Sequence, residues 1–516
     1  MVITITPPVV VGDWARLDTV GRYTPQAIPY TWPSYGLQIG LWAGMMLSLW
    51  WAFRGNHSTS FIKPLRFPAM LLILILLGFG LRLYSLNRLP LLIDEIGFAA
   101  RAADMLHGQH VPIFAPGHNG NPSVFSWLLS GVMSVFGQNI FAARLLSLLF
   151  GTLSIPAAYA LGRSWWSHRV GLVAAAFLAT YPAHVHFSRL ALYNIIDPFF
   201  MLLALALLAR ALRRGYLADF AWVGIWAGIA QYFYHGSRLL PVLIGVYLLL
   251  FTRRSKRQVQ QQPLRVSVPL SLCVMLFVFV IVTLPRFAPM FTANLPLTGN
   301  LEGVRLPSDL AANALRSVLA WVGQPDVSPF WLGSVPLLPV LALLAAGVGL
   351  VIALRYLRDP RHAVLLTALL LTTMFGGVIW PAAPLYVRYM TALPAIVLLV
   401  ALPFESILNR RDAEKHREIG VQEPRFYKQM RQLAILLITL ITAQGIIVSI
   451  QHTREAYEHV PAGLWEADTL ARAASHLPEG VEARLKVSDD FGEVERVTIA
   501  DYIAFYGQRR PVSIIK

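Results

Sequence analysis

Charge and cysteine are what this chain has least of. Only 14% of its 516 residues are Asp, Glu, Lys or Arg, while 56% are hydrophobic, and the mean hydropathy is +0.57. A water-soluble protein of this length needs far more charge to cover its surface, so that class is excluded. The single cysteine, Cys273, rules out an intrachain disulfide and carries no information on redox compartment. Missing too are a P-loop, a G-x-G-x-x-G turn, an H-E-x-x-H pair and a G-x-S-x-G elbow, so ATP-driven and nicotinamide chemistry find no support. The first residues, MVITITPPVVVGDWARLD, lack the basic stretch, apolar core and cleavage site of a signal peptide, and none is expected. No internal repeat is visible.

What the chain has is a series of apolar runs. They fall at about 36–53, 67–86, 141–161, 170–187, 198–214, 217–234, 237–251, 264–284, 331–354, 363–380, 385–405 and 432–450, each long enough, or nearly so, to cross a bilayer core. The expectation is an all-α polytopic membrane protein of about 12 transmembrane helices. The shorter run SVFSWLLSGVMSVFG at 123–137 reads as an interfacial or re-entrant helix, because a span there would invert everything after it.

The net charge of +16 then reads as a topology signal. Arg54, Lys63 and Arg66, then Arg163 and Arg169, Arg210, Arg213 and Arg214, the RRSKR cluster at 253–257, Arg355, Arg358 and Arg361, and the basic loop 410–431 all fall on one side. Such loops stay in the cytoplasm. No basic groove interleaved with aromatics supports nucleic acid as a partner; membrane lipids are the surroundings. Three regions follow: an N-terminal extension with one extra span at 1–66, a transmembrane unit at 67–450 with outer loops at 87–140 and 285–330, and a small extracytoplasmic α/β appendage at 451–516. In the last, LWEADTLARAASHL reads as a helix and EARLKVS as a short strand.

Two carboxylates, Asp94 and Glu95, sit in the otherwise apolar first outer loop, LPLLIDEIGFAARAADMLHG. Ile96, Ala99, Ala103 and Leu106 follow at helical spacing, which predicts an amphipathic helix on the outer membrane surface. A carboxylate where that helix meets a span is partly desolvated, which raises its pKa and suits it to accept a proton. The alternative is structural, with the pair capping the helix or bonding Arg82 or Arg88. Isolated outer cations are the second clue: His235 and Arg238 in YHGSRLLP, Arg388 in APLYVRYMTALPA, and Arg189 in HFSRLALYNIIDP. At that depth a cation needs an anion, and arginine grips phosphate with two donors. For Arg189 the competing reading is an ion pair with Asp197. His184 and His186 in YPAHVHFSR have spacing that a divalent metal could use, but without a nearby cysteine or fixed carboxylate the signal is weak; no other cofactor is called for.

These residues in this order resemble the GT-C superfamily of membrane glycosyltransferases, in the branch of the protein O-mannosyltransferases and the lipid A aminoarabinose transferase. The resemblance runs over about 67–250 through the acid pair, NGNPSVFSWLLSGVMSVFG, and the run ARLLSLLFGTLSIP followed by the S-R of HFSRLALYNIIDP, and it returns at LYVRYMTALPAIVLLVAL. It implies transfer of a sugar from a polyprenyl-phosphate carrier to a glycan, lipid or protein acceptor on the extracytoplasmic face of a prokaryotic plasma membrane, in one inverting displacement. Asp94 would be the base, with Glu95 beside it; Arg388, Arg238, His235 and Arg189 would hold the donor phosphate. Asp197, Asn194 and His118 are the candidates for an acceptor or second acidic site. The chain departs from relatives at Gly120, Asn121 and Pro122, where many carry a Lys-Pro-Pro run, and at Asn194, where many carry Asp. A transporter or flippase of lipid-linked sugars, or a structural subunit without chemistry, are the competing expectations; a transporter should show matched repeats and mid-membrane charges.

Overall fold

The computed structural model describes residues 40, 43–47, 68–108, 113, 123–255, 268–292, 310–380, 383–408, 425–476, 483–486, 501–502, 505–506 and 512–515. The apolar runs become helices in the expected order: α1 (Ala69–Leu83), α2 (Ile93–Leu106), α3 (Val124–Phe136), α4 (Ile140–Trp165), α5 (His168–Thr180), α6 (Pro182–Phe187), α7 (Ile196–Arg214), α8 (Leu217–Ala230), α9 (Leu239–Ser255) and α10 (Val268–Thr292). After them come α11 (Leu310–Leu319), α12 (Val340–Arg355), α13 (Pro360–Thr373), α14 (Tyr386–Tyr389), α15 (Leu393–Ala401), α16 (Phe404–Leu408), α17 (Arg425–Glu458) and α18 (Ala462–Ser475). Two short strands, β1 (Ala483–Lys486) and β2 (Val512–Ile515), pair in parallel. Strand β1 lies inside the expected EARLKVS segment and α18 covers most of LWEADTLARAASHL.

Among the described residues, six helices are long and apolar enough to cross a membrane: Ile140–Trp165, Tyr193–Arg214, His235–Thr252, Pro269–Arg286, Pro360–Val378 and Arg425–Glu458. The runs at 67–86, 170–187, 217–234, 331–354 and 385–405 give shorter helices, because prolines and polar turns end them early. Helix α5 stops at Tyr181-Pro182, and the last of these runs is broken at Met390–Ala392 into α14 and α15. The first run, 36–53, lies mostly outside the described residues.

Helix α4 forms the spine, packed against α1, α5 and α7. Its Gly162 stands so close to Gly171 of α5 that a side chain on Gly162 would lie 2.8 Å from the Gly171 Cα. Small residues permit this approach of two helix backbones in lipid, where packing replaces the hydrophobic effect as the driving force. Arg82 is fully buried without a carboxylate. It donates to Gly78 O (2.7 Å), Ala179 O (3.2 Å), Leu178 O (3.2 Å) and Ser188 Oγ (3.3 Å), and stands 2.8 Å from His184 Nδ1. The guanidinium thus caps the negative end of α5, where the last carbonyls lack intrahelical partners.

The expected surface helix is α2, with Ile96, Ala99 and Ala103 buried. Its acid pair divides. Glu95 is 0% exposed and meets Arg144 of α4 through two parallel bonds, Nε to Oε1 and Nη2 to Oε2, each 2.8 Å. Neither Arg82 nor Arg88 is its partner. Glu95 also accepts the Leu92 amide (2.8 Å), which is the N3-to-N-cap half of a capping box, and the Ala191 amide (2.6 Å). Arg144 spends its other donors on Leu86 O, Leu89 O and Pro90 O. One ion pair therefore fastens the 86–92 loop, α2, α4 and the 188–192 turn.

Removing one partner of such a pair strands the other charge, which costs about 3–5 kcal/mol. Glu95→Gln is expected to lower the melting temperature in detergent sharply, and Glu95→Gln with Arg144→Met less than the sum of the two single changes. Additive losses in that double-mutant cycle would show that the two side chains do not act together.

Candidate functional site

Between α8 and α9 the chain turns through His235–Arg238. Asp197, in the first turn of α7 and 0% exposed, builds that turn: Oδ1 accepts the Tyr234 amide at 3.1 Å and Oδ2 the Ser237 amide at 2.7 Å. Gly236 is required there, since a side chain would collide with Thr391 and stand 3.0 Å from Asp197 Oδ2. Asp197 is thus a buried scaffold for the turn and not an open second acid.

Around this turn cations gather. His235 lies within electrostatic range of Arg238, Arg286 and Arg388, and Arg286 within range of Arg238 and Asp197. Arg286 also donates to Gln231 O. Three guanidiniums against the Asp197 carboxylate leave a surplus of positive charge in an apolar protein, with the neutral His235 imidazole beside them, the signature of an anion site. Arg388 is the most prepared of them. Its guanidinium carbon stacks 3.6 Å from the centroid of the Trp380 ring, and it hydrogen-bonds Tyr234. Its Nη1 is buried with no hydrogen-bond partner among the described residues. A buried, unused N–H is costly in an apolar setting unless an acceptor arrives.

The half-buried Asp94 approaches the same place from α2. One turn along, Phe98 meets Tyr193 edge-on at 4.8 Å, and Tyr193 meets Tyr234 at 5.4 Å. Asp94 itself is within electrostatic range of Tyr234. Tyr234 thus stands between the arginine and the acid, and links Asp94 to the group formed by His235, Arg238 and Arg388. Arg286 joins them; as one isolated arginine at a helix end it carried no sequence signal stronger than many others.

Other expected residues fall elsewhere. Glu95 is sealed in its pair with Arg144, all its lone-pair directions answered, and offers no surface to a proton donor. Arg189 does not pair with Asp197: it is 3% exposed and donates to Thr453 Oγ1 and to Ser85 O, the latter at 3.1 Å. That holds α17 to the stretch that follows α1 and commits two of the guanidinium's donors, while its Nε is buried with no hydrogen-bond partner among the described residues. His184 and His186 diverge, the first to Arg82, the second with Nε2 2.6 Å from Phe330 O and its ring against His452. Two imidazoles committed to different partners do not form a metal chelate, and no group of three or more metal-ligating side chains occurs among the described residues. Asn194 is buried in the turn before α7. His118 and residues 120–122 lie outside the described residues.

The approach to Arg388 is held by the 324–328 loop. Asp326 Oδ1 accepts the Tyr386 amide at 3.0 Å, Val327 N donates to Pro384 O at 3.1 Å, and the Tyr386 hydroxyl donates to Gln324 O. Behind Trp380, the Asn313 side-chain amide of α11 donates to Val378 O (2.7 Å) and Trp380 O (2.8 Å). Arg388 and the ring it stacks on are thus each fixed from α11 and the loop that follows it.

Residues 120–284 match the family described as dolichyl-phosphate-mannose-protein mannosyltransferase. Two relatives are undecaprenyl phosphate-alpha-4-amino-4-deoxy-L-arabinose arabinosyl transferases. That of Pseudomonas savastanoi pv. phaseolicola is 29% identical over 193 residues, 35% of each chain. The second such transferase of Pseudomonas fluorescens is 32% identical over 219 residues, 39% of this chain and 35% of its own. The matched part thus spans about a third of the length of these relatives. Among solved structures, ArnT from Cupriavidus metallidurans bound to undecaprenyl phosphate superposes with a TM-score of 0.58 at 16% identity, covering 87% of this chain and 86% of that one. The apo oligosaccharyltransferase of Archaeoglobus fulgidus gives 0.50 at 17% identity, covering 80% and 58%. The all-helical membrane architecture is shared with both, and the chain is an integral membrane protein.

Burial pushes the Asp326 carboxyl up to about 6. A folded-state pKa above the unfolded value means the native protein holds this proton longer. Stability therefore falls as pH rises from the unfolded pKa near 3.8 to about 6. Asp326→Asn is expected to flatten that part of the melting temperature against pH profile, read by thermal unfolding in detergent; an unchanged slope would remove Asp326 as its source.

Proposed function

We propose that this chain, which has the GT-C membrane fold and carries a domain of the mannosyltransferase family over residues 120–284, is a glycosyltransferase moving a sugar from a polyprenyl-phosphate carrier to an acceptor on the extracytoplasmic face. The observation that carries this reading is the position of Tyr234, which lies within electrostatic range of Arg388 and of Asp94, beside the basic residues of the His235–Arg238 turn. In the reaction an acceptor hydroxyl or amine attacks the anomeric carbon while the bond from that carbon to the phosphate oxygen breaks. The electron pair leaves with the phosphate, the acceptor's proton passes to Asp94, and the anomeric configuration inverts. Charge develops on the departing phosphate oxygen, so fixed guanidiniums there stabilise the transition state more than the ground state.

Arg388 supplies the direct grip, with an unused donor and a guanidinium plane braced by indole. Arg238 and Arg286 provide the field that draws the lipid phosphate in, and His235 stands beside them as a neutral hydrogen-bonding group. Glu95 takes no chemical part; it holds the helix on which Asp94 stands. Basic residues gather at the opposite ends of the helices, where Arg213 bonds Ser164 O and Arg361 bonds Trp165 O, which supports an extracytoplasmic site through the positive-inside rule. The relatives and solved structures compared above are transferases, which favours transfer over the transporter reading. Sugar and acceptor are left at the level of class.

With a short-chain polyprenyl-phosphate sugar and acceptor, the purified protein is expected to release polyprenyl phosphate. Asp94→Asn should slow turnover about a hundred- to ten-thousandfold, the usual worth of a general base, while polyprenyl phosphate still binds. Normal turnover by that variant would falsify the base assignment. Arg388→Ala should instead weaken polyprenyl phosphate binding in a titration, and wild-type affinity there would place the phosphate elsewhere.

A further inference from the structure

The C-terminal part of the chain reaches the loop that carries Asp94. Tyr502 is 0% exposed, and its hydroxyl donates to the carbonyl of Leu91, itself 0% exposed. Leu91 directly precedes Leu92, the N-cap of α2, and Asp94 stands in the first turn of that helix. Nothing in the sequence links positions 411 apart.

The tyrosine is braced from behind. Its ring stacks on Tyr506, with centroids 6.1 Å apart and planes at 11°. The Tyr506 hydroxyl donates to Asp468 Oδ1 at 2.6 Å, and Arg472 donates to Asp468 Oδ2 at 2.9 Å while its guanidinium lies 4.9 Å over the Tyr506 ring. Phe505, also 0% exposed, packs edge-on against Tyr506 at 4.8 Å. Helix α18 therefore orients Tyr506, Tyr506 orients Tyr502, and Tyr502 fixes the carbonyl just before the helix of the proposed base. Burial raises both phenols above their ordinary range, so each stays a protonated donor at any working pH.

We propose that Tyr502 is a positioning residue for the transfer reaction, through which the C-terminal unit sets the placement of Asp94. This rests on the reading of Asp94 as the base. The Glu95 pair already ties α2 to the bundle from below, through Arg144 and the Ala191 amide. Tyr502 adds a hold at Leu91, the one carbonyl between Pro90, which Arg144 holds, and the Leu92 N-cap. With that carbonyl fixed from the C-terminal side as well, the first turn has fewer ways to tilt and presents the Asp94 carboxylate in one place. Displacements near 1 Å at a reacting group cost up to about a hundredfold in rate.

The test is a kinetic double-mutant cycle with Tyr502→Phe and Asp94→Asn, read by single-turnover release of polyprenyl phosphate. Tyr502→Phe is expected to slow the chemical step roughly ten- to a hundredfold, with polyprenyl phosphate affinity unchanged. In the Asp94→Asn background it should cause little further loss, because the carboxylate it positions is gone. Unchanged turnover in Tyr502→Phe overturns the proposal, and so does an equal loss in both backgrounds, which is the mark of a general structural effect. Should Tyr502→Phe not fold, Asp468→Asn, which loosens the brace without touching Leu91, is put through the same cycle under the same criteria. Full activity of Asp94→Asn alone would instead strike at the assignment of the base.

Discussion

The buried pair of Glu95 and Arg144 is the constraint on which the rest of this end of the molecule depends. Charges in an apolar bundle are tolerated only where every donor and acceptor is met. Here the carboxylate is met by the guanidinium and two backbone amides, the guanidinium by the carboxylate and three carbonyls. The carbonyls belong to the loop leaving α1, one amide to α2, the other to the turn that leads into α7. An irregular loop with many exposed backbone groups thereby becomes a rigid shelf. Asp94 stands on that shelf one residue from a group that never meets the substrate, and the adjacency of the two acids expresses a division of labour.

The same logic orders the basic side. Asp197 spends both oxygens on backbone amides of the turn that carries His235 and Arg238, so the carboxylate that faces Arg238 and Arg286 also builds the geometry of the turn. Arg388 is held by an indole face, a phenol and a loop clamped by Asp326. Each reactive group is thus supported by a polar neighbour wholly committed to backbone. Precise placement of charges that do not reorganise is what electrostatic stabilisation of a leaving phosphate demands.

How much of this could be read from residues alone follows from the range of the interactions. Helices were legible because an apolar run in lipid has no other way to satisfy its backbone. Asp94 and Arg388 stood out as charges where charge is costly. Glu95 misled because its partner lies 49 residues away, although Arg144 inside the run NIFAARLLSLL was a signal that some buried anion had to answer it. His184 and His186 looked like a pair because they share a helix, while a six-residue helix sends positions two apart in different directions. Arg286 shares the isolated outer-arginine pattern of Arg238 and Arg388 with nothing more to single it out, and Tyr502 has no local pattern at all; only the folded chain brings them to this end of the molecule.

The shelf also has a history in the making of the protein. Glu95 emerges from the ribosome long before Arg144, and longer still before the Ala191 amide 96 positions on. Until then the lone carboxylate has no reason to enter lipid and every reason to wait in water beyond it. The first loop therefore has its full set of partners only once Arg144 and the Ala191 amide have been made. A nascent chain halted before residue 144 would keep its acid loop open to the solvent.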